Sequence, residues 1–247
     1  MEKKNTIIYG IHPILEALET DATIDKVWIQ EGHLQGQLLE IIGILRKKKI
    51  IWKQVPVSKL NGLVRGNHQG IVLSLSAVDF AQIENVVSEA FSNGEDPLIL
   101  VLDGITDVRN FGAIARTAVC AGVHGIVVPE KGSAPIGPDA VKTSAGALLK
   151  IPVCRTNSMY HTLKFLRNSG LKIAGASEKG KDVLYDSDLT GPMALVMGNE
   201  ETGLATETLK LCDDLVKIPL ALGGVDSLNV SVATGVFLFE INRQRIK

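Results

Sequence analysis

Residues 98–122, LILVLDGITDVRNFGAIARTAVCAG, constrain the fold more than any other stretch of the chain. Leu98-Ile99-Leu100-Val101-Leu102 is an unbroken apolar run, the pattern of a strand buried on both faces. A polar turn follows at 103–107. Phe111, Ile114, Ala115, Ala118 and Val119 then recur at helical spacing and make one apolar stripe. Asn110 stands just before that stripe, where an Asn caps a helix N-terminus. Arg116 falls off the stripe and points away from the core. Strand, polar turn and helix in this order are how open α/β sheets present ligand groups at the carboxyl ends of their strands.

After residue 97 the alternation continues. The pattern predicts strands at 98–102, 125–128, 151–154, 172–176, 194–197 and 215–218. Helices are expected at 110–121, 138–147, 158–169, 203–211 and from about 229 to 243. Such βα alternation implies a parallel sheet covered on both faces. Ahead of it, 5–9, 26–29, 50–52 and 71–75 read as strands, with helices over 10–18, 34–48 and 57–63. The chain therefore divides into a small α/β domain (1–76), a polar linker with one helix at 82–91 (77–96), and a larger α/β domain (97–247).

The length of 247 residues and a hydrophobic content of 45% allow two packed cores, but aromatics make up only 4%, so Val, Ile, Leu and Ala must fill them. No apolar run is long enough to span a membrane, and the N-terminus does not read as a signal peptide, so a cytoplasmic protein is expected. Cys120, Cys154 and Cys212 lie far apart, as reduced thiols do. The five histidines lack metal-ligand spacing, so no metal is expected. The net charge of −1 is unevenly spread. Residues 1–76 carry ten Lys/Arg against seven Asp/Glu, the remainder sixteen against twenty. A basic module joined to an acidic one suits phosphate contact in the first part.

The usual owners of a parallel sheet are disfavoured. The turn at 103–107 lacks the GxGxxG of a dinucleotide site, no Walker pattern occurs, and no GxSxG elbow is present. What remains is a set of strand-end turns rich in small and polar groups: 103–110, Gly198-Asn199-Glu200, and Pro219 to Asn229. Ser227 and Asn229 are alternative caps for the last helix. Glu200 near the start of the 203–211 helix could serve only its dipole.

Three stretches taken together resemble the motifs of the SpoU/TrmH family of SPOUT RNA 2′-O-ribose methyltransferases. They are Asn110-Phe111-Gly112-Ala113-Ile114-Ala115-Arg116, residues 194–203 (ALVMGNEETG), and Ile218-Pro219 with Ser227-Leu228-Asn229-Val230-Ser231-Val232-Ala233. Tyr9-Gly10, Glu16-Ala17-Leu18 and His68-Gln69-Gly70 resemble the small substrate-binding domain that precedes the catalytic domain in many members. The resemblance implies a parallel-sheet α/β-knot catalytic domain with a C-terminal trefoil knot, preceded by a small α/β RNA-binding domain. It also implies an enzyme using S-adenosylmethionine, and a homodimer with the last helix at or near its interface.

The resemblance also implies site residues. Arg116 would be the principal catalytic residue, with Asn110, Glu200, Ser227 and Asn229 holding it and the ribose. Met197, Gly198, Ile218, Pro219, Leu228, Ala176 and Gly203 would lie around the cofactor. Arg65, His68 and Gln69, in a Gly-flanked loop with Asn67, carry donors suited to RNA, and Arg109, standing where a His is frequent in the family, is expected to bind RNA as well. The basic run Arg46–Lys49 serves either RNA or the dipole of the helix it ends. Residues 223–226 make the third motif longer than is common, and Leu220 stands where a Met is frequent. The likeness is greatest to members that methylate a guanosine of 23S rRNA. A tRNA ribose methyltransferase and a non-catalytic RNA-binding or ribosome-assembly protein are the alternatives.

Overall fold

The computed structural model describes residues 7–20, 22–221 and 227–246. The extension at 223–226 and the first residues of the 5–9 strand therefore lie outside the described residues. The chain forms two compact units, one of residues 1–79 with 135–138 and the other of 80–134 with 139–247.

The smaller unit contains β1 (Ile7–Tyr9), α1 (Ile11–Glu19), β2 (Ile24–Gln30), α2 (Gln37–Lys47), β3 (Trp52–Val55), α3 (Val57–Leu63) and β4 (Ile71–Leu75). Its sheet order is β1-β4-β2-β3. β4 runs antiparallel to both β1 and β2, and β3 is parallel to β2. Alternation along the strands sorts side chains between the two faces. Val27, Ile29, Ile71 and Leu73 pack against α1 and α2, while Val55 and Val72 pack against Leu60 of α3.

The larger unit contains β5 (Phe80–Ala81), α4 (Ile83–Ser92), β6 (Leu98–Asp103), α5 (Val108–Cys120), β7 (Gly125–Pro129), α6 (Pro138–Thr143), β8 (Val153–Thr156), α7 (Met159–Asn168), β9 (Lys172–Ala176), β10 (Asp182–Val183), β11 (Met193–Gly198), α8 (Thr206–Leu209), β12 (Asp214–Lys217) and α9 (Val230–Arg245). The sheet runs β10-β12-β9-β11-β6-β7-β8-β5, and every pair in it is parallel. β6 is buried along Leu98–Leu102, as its unbroken apolar run requires. Residues 80–92, read from sequence as part of the linker, belong to this unit. Phe80 and Ala81 pair with β8, and Val86 and Val87 enter the core.

The predicted helix 138–147 ends at Thr143, where Ala145 adopts φ 51°, and a 3-10 turn at Ala147–Leu149 replaces its tail. The predicted helix 203–211 shrinks to α8, because residues 199–203 form a closed turn instead. β11 lies between β9 and β6, β12 lies outside β9, and α9 packs against α5. The chain thus leaves the sheet near one edge and comes back toward its middle. Part of that return, 222–226, lies outside the described residues.

Candidate active site

Four adjacent parallel strands, β12, β9, β11 and β6, end on one edge of the large sheet, with Gly198 beside Asp103 and Val216 beside Ala176. The ends of β6 and β11 are tied to each other and to α8 by side-chain hydrogen bonds. The Asp103 carboxylate accepts from Thr208 Oγ1 (2.7 Å) and Ala205 N (3.3 Å), which fixes the start of α8. Asn199 Nδ2 donates to Gly104 O (2.8 Å), and its Oδ1 accepts from Glu201 N (2.9 Å) and Thr202 N (3.3 Å). The turn closes through Asn199 N to Gly203 O (3.0 Å) and Gly203 N to Asn199 O (2.8 Å). The approach is so close that a Cβ on Gly198 would overlap the Gly203 carbonyl group and Leu204 N. Gly198, which the family resemblance placed around the cofactor, therefore first admits the chain's own backbone.

The cap of α5 is Asp107, not Asn110. Asp107 Oδ1 accepts from Arg109 N (2.8 Å) and Asn110 N (2.9 Å). The bond from the Asn110 amide, followed by that from Arg109 and the Arg109 charge, holds the Asp107 carboxyl below its usual range. Asn110 sits inside the first turn, which frees its side chain. Asn110 Nδ2 donates to Glu200 Oε2 (3.0 Å), and Asn229 Nδ2 donates to Glu200 Oε1 (2.8 Å) and to Asn110 Oδ1 (3.1 Å). Asn229 is also the cap of α9, its Oδ1 accepting from Ser231 N (3.0 Å) and Ser231 Oγ (2.6 Å). Of the two alternative caps for α9, Asn229 is the one used. One side chain from each of three distant motifs meets in this closed junction.

Beside the junction opens a cleft of about 280 Å³. Ala176, Met197, Gly198, Glu200, Gly203, Ile218, Ser227 and Leu228 line it. So do Ser177, Glu178, Lys179, Lys217 and Phe237, which the sequence did not single out. These come from the ends of β9 and β12 and from the inner side of α9, places that only the strand order brings together. Pro219 is exposed next to Ile218. Arg116 is exposed on α5, and among the described residues it has no hydrogen-bond or ion-pair partner.

The lining suits S-adenosylmethionine. Apolar Met197, Leu204, Ile218, Leu228 and Phe237 offer a bed for a flat base, while Glu178, Glu200 and Glu201 supply anionic groups for a sulfonium-bearing cation. Among the described residues no His/Cys/Asp/Glu group is placed to hold a metal, and no helix is long and apolar enough to cross a membrane.

In the smaller unit the loop predicted to read RNA is partly consumed by its own fold. His68 is buried, its Nδ1 accepting from Gly70 N (3.0 Å) and its Nε2 lying 3.0 Å from Asn61 Oδ1. With Nδ1 as acceptor, Nε2 carries the proton and donates. Gln69 Oε1 accepts from Ile11 N (2.9 Å) at the start of α1. Both residues hold the loop in shape. Arg65 and Asn67 stay exposed. Arg109, in the larger unit, is largely exposed and reaches Asp107 at 3.6 Å.

Residues 97–239, more than half of the chain, match the profile of the SpoU rRNA Methylase family. The chain belongs to this family. Residues 7–81 match a second SpoU-associated profile, RNA 2′-O ribose methyltransferase substrate binding. Among SpoU relatives, the 23S rRNA (guanosine-2′-O-)-methyltransferase RlmB of Yersinia pestis is 40% identical, over 97% of each chain. The putative TrmH family tRNA/rRNA methyltransferase YacO of Bacillus subtilis (strain 168) is 34% identical, over 99% of this chain and 98% of that one. The SpoU methyltransferase AviRb of Streptomyces viridochromogenes, solved with AdoMet, superposes with a TM-score of 0.62 and 27% identity, covering 97% of this chain and 90% of that one.

Proposed function

We propose that the protein transfers a methyl group from S-adenosylmethionine to the ribose 2′-hydroxyl of a guanosine in 23S rRNA. The observation that carries this reading is the junction of Asn110, Glu200 and Asn229 at the mouth of a cofactor-sized cleft. The near full-length likeness to 23S rRNA guanosine methyltransferases supports the substrate.

When bound, S-adenosylmethionine supplies an electrophilic methyl group on sulfur. Transfer would break the carbon–sulfur bond as the carbon–oxygen bond forms, releasing S-adenosylhomocysteine, and the hydroxyl proton would pass to an oxygen of the adjacent phosphate that Arg116 holds. Met197, Ile218 and Leu228 are the apolar walls we assign to the cofactor, with Ala176 and the closed 198–203 turn around them and Pro219 stiffening the exit of β12. Arg116 is the residue we assign to the ribose. Its guanidinium acts by gripping the adjacent phosphate in a bidentate fork and favouring the developing alkoxide. Among the described residues no group occupies its donors, which are left for substrate. Asn110, Glu200, Ser227 and Asn229 orient the ribose side of the cleft. Arg65 and Arg109 are exposed cations suited to phosphate contact.

The working form we propose is a homodimer built on α9. Val232 and Phe239 lie two turns apart on that helix and are each 52% exposed, an apolar stripe that a second copy would cover.

The test is transfer of labelled methyl from S-adenosylmethionine to deproteinised 23S rRNA and to bulk tRNA, with wild type and Arg116→Ala side by side. Label is expected in 23S rRNA and is expected to fall at least about 100-fold in the variant, the scale of losing a preorganised charge at a reacting centre. Label in tRNA alone would overturn the rRNA assignment. An undiminished variant would remove Arg116 from the site.

A further inference from the structure

The sheet of the smaller unit is covered unevenly. Two helices, α1 and α2, bury one face, while among the described residues the other packs against the seven-residue α3. The strand register lays a row of side chains across that second face. Tyr9 pairs with Val72, Val72 with Trp28, and Trp28 with Lys53. Val72 packs under α3 with part of Trp28, whereas Tyr9 remains 40% exposed and Lys53 is exposed. The Tyr9 ring is fixed from below by the loop after α3. A Cβ on Gly66 would overlap its Cε2, Cζ and hydroxyl, so the loop lies directly against the ring where it stands.

Charge along the segment that supplies β3, α3 and the loop after it has one sign. Residues 41–78 contain seven Lys/Arg and no Asp/Glu. All seven are exposed and none has an ion-pair partner among the described residues; Lys53 on β3, Lys59 on α3 and Arg65 in the loop after it are the three that belong to the α3 side. His68 and Gln69 hold that loop, and Arg65 projects from it.

We propose that this face docks a single-stranded stretch of the substrate RNA. Tyr9 and the exposed part of Trp28 take unstacked bases, and Lys53, Lys59 and Arg65 take the phosphates between them. Rings two strands apart, roughly 10 Å, meet bases that are splayed rather than paired, which is how proteins read RNA loops and ends. Three exposed cations around exposed rings are complementary to a polyanion with π faces. The proposal rests on the RNA methyltransferase reading and says where on the substrate-binding unit the RNA lies.

The experiment uses the full-length protein. The triple variant Lys53→Glu/Lys59→Glu/Arg65→Glu alters only exposed side chains. Tyr9→Leu keeps a side chain against Gly66 and removes the ring. The double variant Arg46→Glu/Lys47→Glu, at the end of α2 on the opposite face, is the control. The probes are deproteinised 23S rRNA and a short unstructured RNA oligonucleotide, titrated over a salt series.

The triple variant is expected to bind RNA at least about tenfold more weakly. Its log K against log salt slope should flatten by about 2, since each single-strand phosphate contact adds about 0.7. Tyr9→Leu is expected to lose about tenfold in affinity with the slope unchanged, as loss of one stacked base does. Affinity for S-adenosylmethionine should hold in both, and methyl transfer should show a raised KM at unchanged kcat. Wild-type RNA affinity and slope in the triple variant, or an equal loss in the control, would overturn the proposal. So would a triple variant that keeps RNA but loses an acidic peptide bound by wild type, which would give the face to a protein. Methyl transfer insensitive to the triple variant sinks the surface and leaves the enzyme standing. RNA binding that depends on the patch, with no methyl transfer by wild type, sinks the enzyme and leaves the surface.

Discussion

Asn229 fixes the polarity of the whole junction. Its Oδ1 is committed to Ser231 N and Oγ at the start of α9, so its Nδ2 can only face the site and donate. Asn110 Oδ1 must then accept, which turns Asn110 Nδ2 toward Glu200. Glu200 receives a donor on each oxygen, so both of its oxygens are committed to the two amides. Asn229→Asp keeps the cap and the volume but replaces the donor with a second carboxylate facing the first. We expect methyl transfer near neutral pH to fall about 100-fold, with circular dichroism and S-adenosylmethionine binding retained. Like charges so close raise the proton affinity of the pair, and a protonated Asp can donate again. The variant's activity relative to wild type should therefore recover as pH falls, read from paired pH–rate profiles. A ratio flat in pH would mean that the amide's donor is not what the junction needs.

The turn between β11 and α8 carries Glu200 into that junction, and its shape depends on Gly198. The atoms a side chain there would meet belong to backbone, Gly203 C and O and Leu204 N, so no rotamer change relieves the overlap. Gly198→Ala should lower stability by about 2–3 kcal/mol, the range of overpacking in a site that cannot yield, and should abolish detectable S-adenosylmethionine binding. Urea unfolding and titration calorimetry check the two effects, and an unchanged midpoint would refute the crowding argument. This turn also marks where sequence stopped being legible. Strands with a continuous apolar run or clear alternation were readable: β9 and β4 fall at the residues their patterns indicate, and β6 is one residue longer. The helix expected over 203–211 was not, because Asn199 satisfies the backbone of 201–202 and the Asn199–Gly203 bridge closes a turn that propensity does not announce. The two-residue strands β5 and β10 are too short for any periodicity. Asn110 read as a cap because Asn suits that position, and Asp107 three residues earlier suits it equally. The meeting of Asn110, Glu200 and Asn229 depends on β11 lying beside β6 and α9 against α5, and non-adjacent order of that kind leaves no trace in local pattern.

The last helix is closed onto the molecule at its far end by a second polar cluster. Glu240 is buried and accepts from Arg243 Nε (2.9 Å) and Nη2 (2.8 Å) and from Gln244 Nε2 (2.8 Å). Gln244 also donates to Ser187 O (3.0 Å) and accepts from Leu189 N (2.8 Å). Arg245 donates to Asp96 O at 2.9 Å and to Gly191 O. Residues just before β6 and just before β11 are thereby tied to the end of α9, whose opposite end presents Asn229, so this latch bears on where the junction's third member stands. The bonds from Arg243 and then Gln244 draw the Glu240 carboxyl from 4.5 down to about 2. A group whose pKa is lowered by folding stabilises the protein above its unfolded value and loses that contribution as pH falls toward its folded value. Glu240 therefore supports the fold at neutral pH and ceases to between about 4.5 and 2. Glu240→Gln removes the titrating group and keeps its shape. The variant should melt below wild type at neutral pH, and the gap should close as pH falls through that window, with the two curves converging near its lower end. Thermal unfolding followed by circular dichroism over the acid range measures the gap. A gap that stays constant across the range would mean that Glu240 contributes through packing alone, and the latch would then hold without its charge.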